Sequence, residues 1–323
     1  STMSALNASL FGVGLVAYLW KRFVRTAIYG PQVILRVGGV PEHFNIPFHD
    51  AIPALAARGV NVKWSDQPGG TGAMTKGLRE GSLDVVIALT EGLVTDLARG
   101  NPSKLVAQYV QSPLRWGVHV AAKATSLQSI ADLRGRRFGI SRLGSGSHLM
   151  AFVLARAQGW DPKSLEFVVV GGLDKAREAF AKGEIDAFMW EQFTTKPLVY
   201  SGEWRCVGVC TTPWPCFAVA VREETLEKHA EAVRQLMAVV REKALAFKAE
   251  GAASVRRVTA QYGIKADDAA QWFEATQWSA ALGMDCAMLD NVASILRDVG
   301  VLDDKAVDTR SMTFAFPSPI RTT

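Results

Sequence analysis

Cysteine is scarce in this sequence and is poorly placed for metal binding. The 323 residues contain four cysteines, Cys206, Cys210, Cys216 and Cys286, and no two of them form a Cys-x-x-Cys pair. This spacing argues against zinc-ribbon and thioredoxin-type chemistry. Cys206 and Cys210 stand near a predicted strand and need not meet, so we expect the cysteines to be reduced and buried. We expect neither a bound metal nor a cofactor.

The sequence also lacks a long run of lysine or arginine. The net charge of +5 and the isoelectric point near 9.0 are only mildly basic. No zinc-finger or RNA-binding signature is present, so nucleic acid is not an expected partner. A basic balance of this size fits an anionic small-molecule ligand or an anionic membrane surface.

A hydrolase signature is missing as well. His148 lies beside Ser145 and Ser147, but the sequence contains no Gly-x-Ser-x-Gly elbow, and no acid can be assigned to orient the histidine. We therefore assign no catalytic residue and do not expect an enzyme.

The most informative stretch runs from Pro68 to Glu91 and combines a glycine-rich turn, a short helix and an apolar strand. Glycines such as Gly70 and Gly72 let the backbone approach a ligand closely. The start of the helix offers unpaired N–H groups and the positive end of a dipole, which favour an anion. The strand Val85–Leu89 shows no polar alternation, which is typical of a strand buried on both faces. The stretch thus predicts an anion-binding crevice beside a buried sheet.

A similar unit returns between Val168 and Glu191. Gly81-x-x-Asp84 before the first strand matches Gly183-x-x-Asp186 before the second, and a glutamate closes each unit, Glu91 and Glu191. A solenoid needs at least three repeats. Two copies favour two similar α/β lobes that face a common cleft.

Strands alternate with helices along most of the chain, which predicts parallel sheets. The segments Ser112–Arg115 and Thr211–Cys216 are expected to be two crossings between the lobes. The first lobe is therefore expected to be discontinuous, with residues 31–112 and 213–323, and the second lobe to comprise residues 113–212.

A second candidate anion cradle spans Ser141–His148, where glycines, hydroxyls and Arg142 precede a predicted helix that extends to Ala157. A serine-glycine turn before a helix is often only a cap. The anion-cradle interpretation is favoured because Gly69–Gly72 forms a similar glycine-rich helix start in the other predicted lobe.

The N-terminal segment, residues 1–30, is apolar from Ala5 to Trp20 and then basic at Lys21, Arg22 and Arg25. It is somewhat short for a spanning helix, so it could span the bilayer or lie in its interface. The basic residues follow the apolar run, which argues against a secretory signal peptide. We expect membrane association through Ala5–Gly30 with the main body on the cytoplasmic or mitochondrial-matrix side; a periplasmic location is the alternative.

Several motifs together resemble the type II periplasmic-binding-protein-like superfamily, in its nitrate/sulfonate/taurine and thiamine-pyrimidine substrate-binding group. They are Gly70-Thr71-Gly72-Ala73-Met74, the two Gly-x-x-Asp motifs and Ile130-Ala131-Asp132-Leu133-Arg134-Gly135. Ser141–Met150 and Phe188–Pro197 resemble a bacterial and fungal branch suspected of binding thiamine-precursor-like molecules. The resemblance runs from about Val33 to Val299.

This resemblance implies two Rossmann-like lobes joined by a two-segment hinge, with a small ligand in the cleft, as in substrate-binding proteins of ABC transporters. The ligand would be anionic, would carry both signs of charge, or would be a thiamine-pyrimidine-like heterocycle. Loops at strand ends would contact it through Glu42, His43, Asn45, Gly70, Thr71, Thr90, Glu91, Ser141, Arg142, Ser145, His148, Glu191 and Trp214. The rule that ligands bind beyond the carboxyl ends of parallel strands predicts the same loops.

Two alternatives stay open beside the binding protein. A pyrimidine synthase of the superfamily carries a lysine for pyridoxal phosphate and a histidine near the third strand, but this chain has Ala88 and Gly92 at about those positions and a single Cys216 near the second crossing. The synthase is therefore disfavoured. The other alternative is an accessory subunit of a mitochondrial membrane complex that reuses the fold.

Overall fold

The computed structural model describes residues 32–303 and 307–317, and they form an α/β fold with two five-stranded sheets. The N-terminal hydrophobic helix predicted for residues 1–30 lies outside the described residues, so it is unsupported and stays a prediction. Within the described part of the chain, no helix is both long enough and apolar enough to cross a bilayer.

The strands follow one another in two groups. In chain order they are β1 Val33–Gly39, β2 Val60–Asp66, β3 Val85–Leu89, β4 Ser103–Val110, β5 Arg115–Ala121, β6 Arg137–Ile140, β7 Glu166–Val169, β8 Ala187–Glu191, β9 Trp204–Thr211 and β10 Phe217–Arg222.

The helices of the described residues connect these strands and then form the C-terminal part. They are α1 Ile46–Ala57, α2 Thr71–Glu80, α3 Thr90–Ala98, α4 Gly146–Ala157, α5 Leu173–Lys182, α6 Lys196–Tyr200, α7 Glu223–Ala249, α8 Ala252–Tyr262, α9 Ala266–Ala275 and α10 Cys286–Asp298.

Both sheets have the same topology. The first has the strand order β2-β1-β3-β10-β4 and the second the order β7-β6-β8-β5-β9. In the first sheet β1 is parallel to β2 and β3, while β10 is antiparallel to β3 and β4. In the second sheet β6 is parallel to β7 and β8, while β5 is antiparallel to β8 and β9. In each sheet the antiparallel strand is the one that directly follows a crossing between the sheets.

The repeated Gly-x-x-Asp motif has a structural role in both lobes. The Asp84 carboxylate accepts hydrogen bonds from the Arg36 backbone N–H and Nε, both at 2.8 Å, and from Nη2 at 2.5 Å. The Asp186 carboxylate accepts the same three bonds from Arg137, at 3.0, 3.0 and 2.9 Å. Each aspartate thus ties the start of its own strand to the neighbouring strand, β1 or β6. We call this arrangement the strand clamp.

The two crossing segments between the sheets lie side by side. The Thr212 N–H donates to the Leu114 carbonyl at 3.0 Å, and the Thr212 hydroxyl accepts from the Leu114 N–H at 2.9 Å. The Cys216 N–H donates to the Ser112 carbonyl at 3.2 Å. The crossings are therefore hydrogen-bonded to each other, and we call this pair of segments the hinge.

The main buried apolar cluster includes residues of both lobes, among them Leu89, Trp116 and Leu149. The C-terminal helix α7 packs on α1 of the first lobe. The expectation of buried cysteines holds for Cys210 and Cys216 but is wrong for two others: Cys206 on the edge strand β9 is exposed, and Cys286 is only partly buried. All four are free thiols, as expected.

Candidate functional site

A cavity of about 50 Å³ lies between the two lobes. It can hold about three to five waters, which is the space of a small oxoanion with a short tail. Its walls come from the carboxyl ends of β1, β3, β6 and β8, where α/β proteins bind ligands. Six of the predicted site residues line it: Glu42, Gly70, Thr71, Ser141, Ser145 and Glu191.

The first lobe contributes the start of helix α2. Gly70 precedes the helix at φ +67°, a left-handed conformation that favours glycine. The Thr71 hydroxyl accepts a hydrogen bond from the Leu89 N–H at 3.1 Å and so fixes the helix start against the end of β3. The N–H groups of Thr71 and Gly72 donate to no described residue, as expected in the first turn of a helix. They remain free for an anion.

The second lobe contributes the start of helix α4. The Ser145 hydroxyl caps the helix by accepting from the His148 N–H at 3.4 Å. The Ser147 hydroxyl accepts from the Ser141 N–H at 3.0 Å and lies 3.0 Å from the Ser145 hydroxyl. The N–H groups of Gly146 and Ser147 have no acceptor among the described residues. A second helix N-terminus therefore faces the same cavity.

Two acidic side chains from opposite lobes line the cavity. Glu42 follows β1 and is 9% exposed, and Glu191 ends β8 and is 4% exposed. Burial raises the pKa of Glu42 to about 8, with a further contribution from Glu191. Burial also raises the pKa of Glu191 to about 7, against the hydrogen bonds that Thr194 donates to its Oε2 from N–H at 2.7 Å and hydroxyl at 2.8 Å.

The expected equivalence of Glu91 and Glu191 is wrong. When the two strand clamps are aligned on their aspartates, Leu89, five positions after Asp84, corresponds to Glu191, five positions after Asp186. Leu89 and Glu191 both line the cavity, whereas Glu91 lies in the first turn of α3, outside the lining.

Glu91 instead contacts the hinge. Its Oε2 accepts from the Trp214 indole N–H at 2.7 Å, and both side chains are fully buried. Burial raises the pKa of Glu91 to about 7. The Thr90 N–H donates to the Cys216 carbonyl at 2.9 Å. The structure thus places the predicted ligand contacts Thr90, Glu91 and Trp214 beneath the hinge and not at the cavity surface.

His43 and Asn45 are also placed away from the cavity lining. His43 is buried in an aromatic cluster, with ring centroids 4.3 Å from Trp272 and 5.0 Å from Phe44, and burial lowers its pKa to about 3. The Asn45 amide donates to the Val40 carbonyl at 2.7 Å and supports the loop after β1. Both residues therefore support the loop after β1 and do not contact the cavity.

Arg142 reaches from the second lobe onto the first. Its Nη1 donates to the Gly69 carbonyl at 3.4 Å, and a Cβ on Gly72 would lie 1.7 Å from Nη2. Burial lowers the pKa of Arg142, and Asp96 opposes this effect. The guanidinium covers the outside of the α2 start and does not line the cavity. Arg142 therefore connects the two lobes in the described conformation.

His148 fixes the serine-glycine turn. Its Nδ1 accepts from the Gly144 N–H at 3.0 Å, and its ring packs against Phe152 and Phe167. Burial, together with the charge of Arg99, lowers the pKa of His148 to about 4. A neutral histidine in this position orders the backbone before α4.

A second contact between the lobes lies away from the hinge. Asp268 of α9, 3% exposed, accepts from Lys196 Nζ at 2.9 Å and from the Tyr200 hydroxyl at 2.5 Å, both on α6 of the second lobe. Lys265 Nζ lies 3.4 Å from the centre of the Tyr200 ring. These contacts and the contact of Arg142 join the two lobes in the described conformation.

Sequence reasoning missed the apolar walls of the cavity. They are formed by Met74, Leu89, Trp116, Trp190 and Phe217. Trp116 is 4% exposed, and its indole N–H has no partner among the described residues. Their positions in the sequence could have identified them: Leu89 and Trp190 stand at the ends of strands, and Trp116 and Phe217 directly follow the two crossings.

The positions compared with the pyrimidine synthase are enclosed by protein. Ala88 is fully buried in β3, and a Cβ on Gly92 would lie 2.5 Å from Thr71 Cγ2. The described residues contain no cluster of three metal-binding side chains.

Comparisons with known proteins agree with the fold. Residues 116–210, which form most of the second lobe, match the family described as "Ca3427-like PBP". The structure of the Candida albicans CA3427 gene product, described as having the generic periplasmic binding protein fold, is 26% identical and has a TM-score of 0.78, covering 84% of this chain and 92% of that chain. No curated protein matches the sequence.

More distant structures share the fold alone. The alkanesulfonate-binding protein SsuA from Xanthomonas axonopodis pv. citri, bound to MOPS, is 17% identical with a TM-score of 0.75, covering 88% of this chain and 99% of that chain. The nitrate-binding protein NrtA from Synechocystis PCC 6803 is 15% identical with a TM-score of 0.66, covering 87% and 84%. The predicted two-lobed α/β fold and the predicted resemblance to the type II periplasmic-binding-protein-like superfamily are thus confirmed.

Proposed function

We propose that this protein is a solute-binding protein that encloses a small anionic ligand between its two lobes. The observation that carries the proposal is that helix α2 of the first lobe and helix α4 of the second begin at one cavity between the lobes. Each helix start offers free N–H groups and the positive end of a helix dipole, which together form an anion site. The structural neighbours also support the proposal, since two of them are named as alkanesulfonate- and nitrate-binding proteins.

Closure of the lobes is the proposed mechanism of capture. An anion that accepts from Thr71 and Gly72 on one side and from Gly146 and Ser147 on the other binds the closed form better than the open form. A ligand shifts a conformational equilibrium by this difference in affinity. The two hydrogen-bonded crossings are short, as expected for a hinge that rotates two rigid lobes.

Gly146 provides the sharpest test, because it lies at the contact between the lobes. A Cβ at this position would be 2.3 Å from Leu89 Cδ1 and 2.8 Å from Trp116 Cη2. We expect Gly146→Ala to hold the lobes apart and to weaken anion binding at least about tenfold. Gly172→Ala is the matched control, since Gly172 precedes α5 with φ −79° and its Cβ would meet only the Pro68 carbonyl at 3.7 Å.

The measurement is isothermal titration calorimetry of both variants and the wild type with ethanesulfonate and with nitrate, supported by the rise in melting temperature that a ligand of the native state produces. The proposal fails if neither anion binds the wild type, or if Gly146→Ala and Gly172→Ala bind as the wild type does.

A thiamine-pyrimidine-like heterocycle is the second candidate ligand. The aromatic walls Trp116 and Trp190 favour it, because a flat ring can stack between or against indoles. Trp190 itself stacks on Phe188 with ring centroids 5.6 Å apart. Titration with an aminopyrimidine under the same conditions tests this alternative.

We also propose that residues Ala5–Gly30 attach the body to a membrane, with the body on the cytoplasmic or mitochondrial-matrix side. The apolar run followed by basic residues supports this proposal. Release of the chain from membranes by carbonate would argue against a spanning segment. Co-purification of other membrane proteins, lost on deletion of residues 1–30, would favour the accessory-subunit role.

A further inference from the structure

Two buried carboxyl groups face the cavity from opposite lobes. Glu42 follows β1 of the first lobe and is 9% exposed, and Glu191 ends β8 of the second lobe and is 4% exposed. The two lobes meet at this pair, because the charge of Glu191 and the indole N–H of Trp190, both on β8, act on the Glu42 carboxyl. The proposed anion site at the helix starts uses neither carboxyl.

The pair has little compensation from basic residues. No basic residue of the described chain acts on the pKa of Glu42. For Glu191, burial raises the pKa, the hydrogen bonds from Thr194 and Phe193 oppose burial, and the charge of Arg115 opposes it least. A buried ionised carboxylate is costly unless it is paired, and two carboxylates in one site repel each other. The described conformation therefore favours protons on the pair.

The other titratable groups near the pair add no positive charge. Burial lowers the pKa of His43, next to Glu42 in the chain, to about 3, so this imidazole is neutral. Burial and nearby acidic charges, Glu42 among them, raise the pKa of Tyr262. Burial and nearby acidic charges, including that of Glu191, likewise raise the pKa of the Cys216 thiol. Both groups thus stay protonated and uncharged near neutral pH.

We propose that closure of the lobes on an anion is coupled to proton uptake by Glu42 and Glu191, so that the protein binds the anion and protons together. When the lobes separate, water reaches both carboxyl groups and the distance between them increases, so each ionises as an exposed carboxyl does. Closure excludes the water and brings both acids beside the anion, where burial and like charge favour the protonated forms. The inference rests on the proposed function, because it concerns the same closure on the same anion.

The direction of the pH dependence follows from the two conformations. An exposed glutamate has a pKa of about 4.3. In the described conformation, burial and the charge of Glu191 raise the pKa of Glu42 to about 8, and burial raises the pKa of Glu191 to about 7. A state in which the pKa is raised is stabilised at low pH, and this stabilisation is lost as the pH rises through the raised value. The affinity for an anion should therefore fall as the pH rises between about 5 and about 8.

Isothermal titration calorimetry with ethanesulfonate measures this coupling. A sulfonate stays ionised over the whole range, so the pH dependence belongs to the protein. Titrations at about pH 6 and about pH 8, each in two buffers of different ionisation enthalpy, give the affinity and the number of protons taken up. We expect the wild type to bind at least about tenfold more tightly at the lower pH and to take up protons there.

Glutamine variants separate the coupling from a structural role of the two side chains, because glutamine has the shape of a protonated glutamate and stays uncharged. Glu42→Gln and Glu191→Gln should each reduce the proton uptake. At about pH 8 each should also bind ethanesulfonate at least about threefold more tightly than the wild type, whereas loss of a merely structural contact would weaken binding. Glu91→Gln is the matched control: Glu91 is fully buried and burial raises its pKa to about 7, but its partner Trp214 belongs to the hinge. This variant should keep the pH dependence of the wild type.

The outcomes distinguish this inference from the proposed function. Equal affinity of the wild type at both pH values, binding without proton uptake, or uptake that is unchanged in both cavity variants would overturn the coupling and leave the anion-binding function standing. Loss of the uptake in Glu91→Gln would also overturn it, since that carboxyl lies outside the cavity lining. Failure of ethanesulfonate and nitrate to bind the wild type at either pH would overturn the anion-binding function, and the coupling with it.

Discussion

The strand clamp offers a stability prediction with an internal comparison, because the same interaction occurs once in each lobe. Replacing Asp84 by alanine removes three hydrogen bonds with Arg36 and leaves the Arg36 backbone N–H without its acceptor. Replacing Asp186 by alanine does the same to Arg137. The Asp84 side chain is 11% exposed and that of Asp186 is 24% exposed. The cost should therefore be larger in the first lobe.

The expected loss of stability is the sum of the cost of the unsatisfied N–H and that of the lost ion pair. An unsatisfied N–H costs about 1–3 kcal/mol when buried. The ion pair adds only about 0.5–1 kcal/mol, since the two arginine side chains are 42% and 40% exposed and solvent screens the charges. We expect Asp84→Ala to lower the free energy of unfolding by about 2–3 kcal/mol and Asp186→Ala by about 1–2 kcal/mol. Asparagine at either position retains one acceptor and should cost less than alanine.

Urea denaturation followed by tryptophan fluorescence measures these values, and the pH dependence provides a second check. Burial acts to raise the pKa of Asp84, but the hydrogen bonds from Arg36 outweigh it and hold the pKa below its ordinary value; for Asp186 the hydrogen bonds from Arg137 are the main cause of the same shift. A depressed folded pKa means that the stabilisation is present above the unfolded pKa and is lost as the pH falls through the folded value. The reasoning is refuted if both alanine variants unfold at the wild-type urea concentration, or if Asp186→Ala costs more than Asp84→Ala.

Further predictions concern the cavity. Burial raises the folded pKa of Glu42 to about 8, whereas its unfolded pKa is about 4. As the pH rises between these values, the unfolded state loses the Glu42 proton and the folded state keeps it, so the free energy of unfolding of the wild type falls. In urea titrations, Glu42→Gln should therefore lose less stability than the wild type between about pH 5 and pH 8. Parallel pH profiles of the two proteins would contradict this. Thr71→Val should destabilise the fold by about 1–3 kcal/mol because the buried Leu89 N–H loses its acceptor, whereas Thr71→Ser keeps it; equal melting temperatures would argue against that role. Arg142→Ala should weaken ethanesulfonate binding several-fold by favouring the open lobes, with Arg142→Lys intermediate, and an unchanged Kd would show that this contact does not control closure.

The local sequence determined much of this protein. Apolar strands without alternation, glycine turns before helices and the repeated Gly-x-x-Asp motif predicted two similar α/β lobes, and Gly81 and Gly183 do end their helices in the left-handed conformation. These features follow from short-range rules, because turn geometry, helix starts and strand burial depend on a few adjacent residues. The same rules placed Gly70, Thr71, Ser141 and Ser145 at the cavity.

Only the tertiary structure decided which polar side chains reach the cavity. A difference of two positions relative to the strand clamp places Glu191 in the lining and Glu91 beneath the hinge, although each glutamate stands at or just after the end of an apolar strand. His43 and His148 are held by aromatic neighbours that are distant in sequence, Trp272 and Phe167. Burial and side-chain direction depend on how separate elements pack, and this long-range information is not contained in the local pattern of residues.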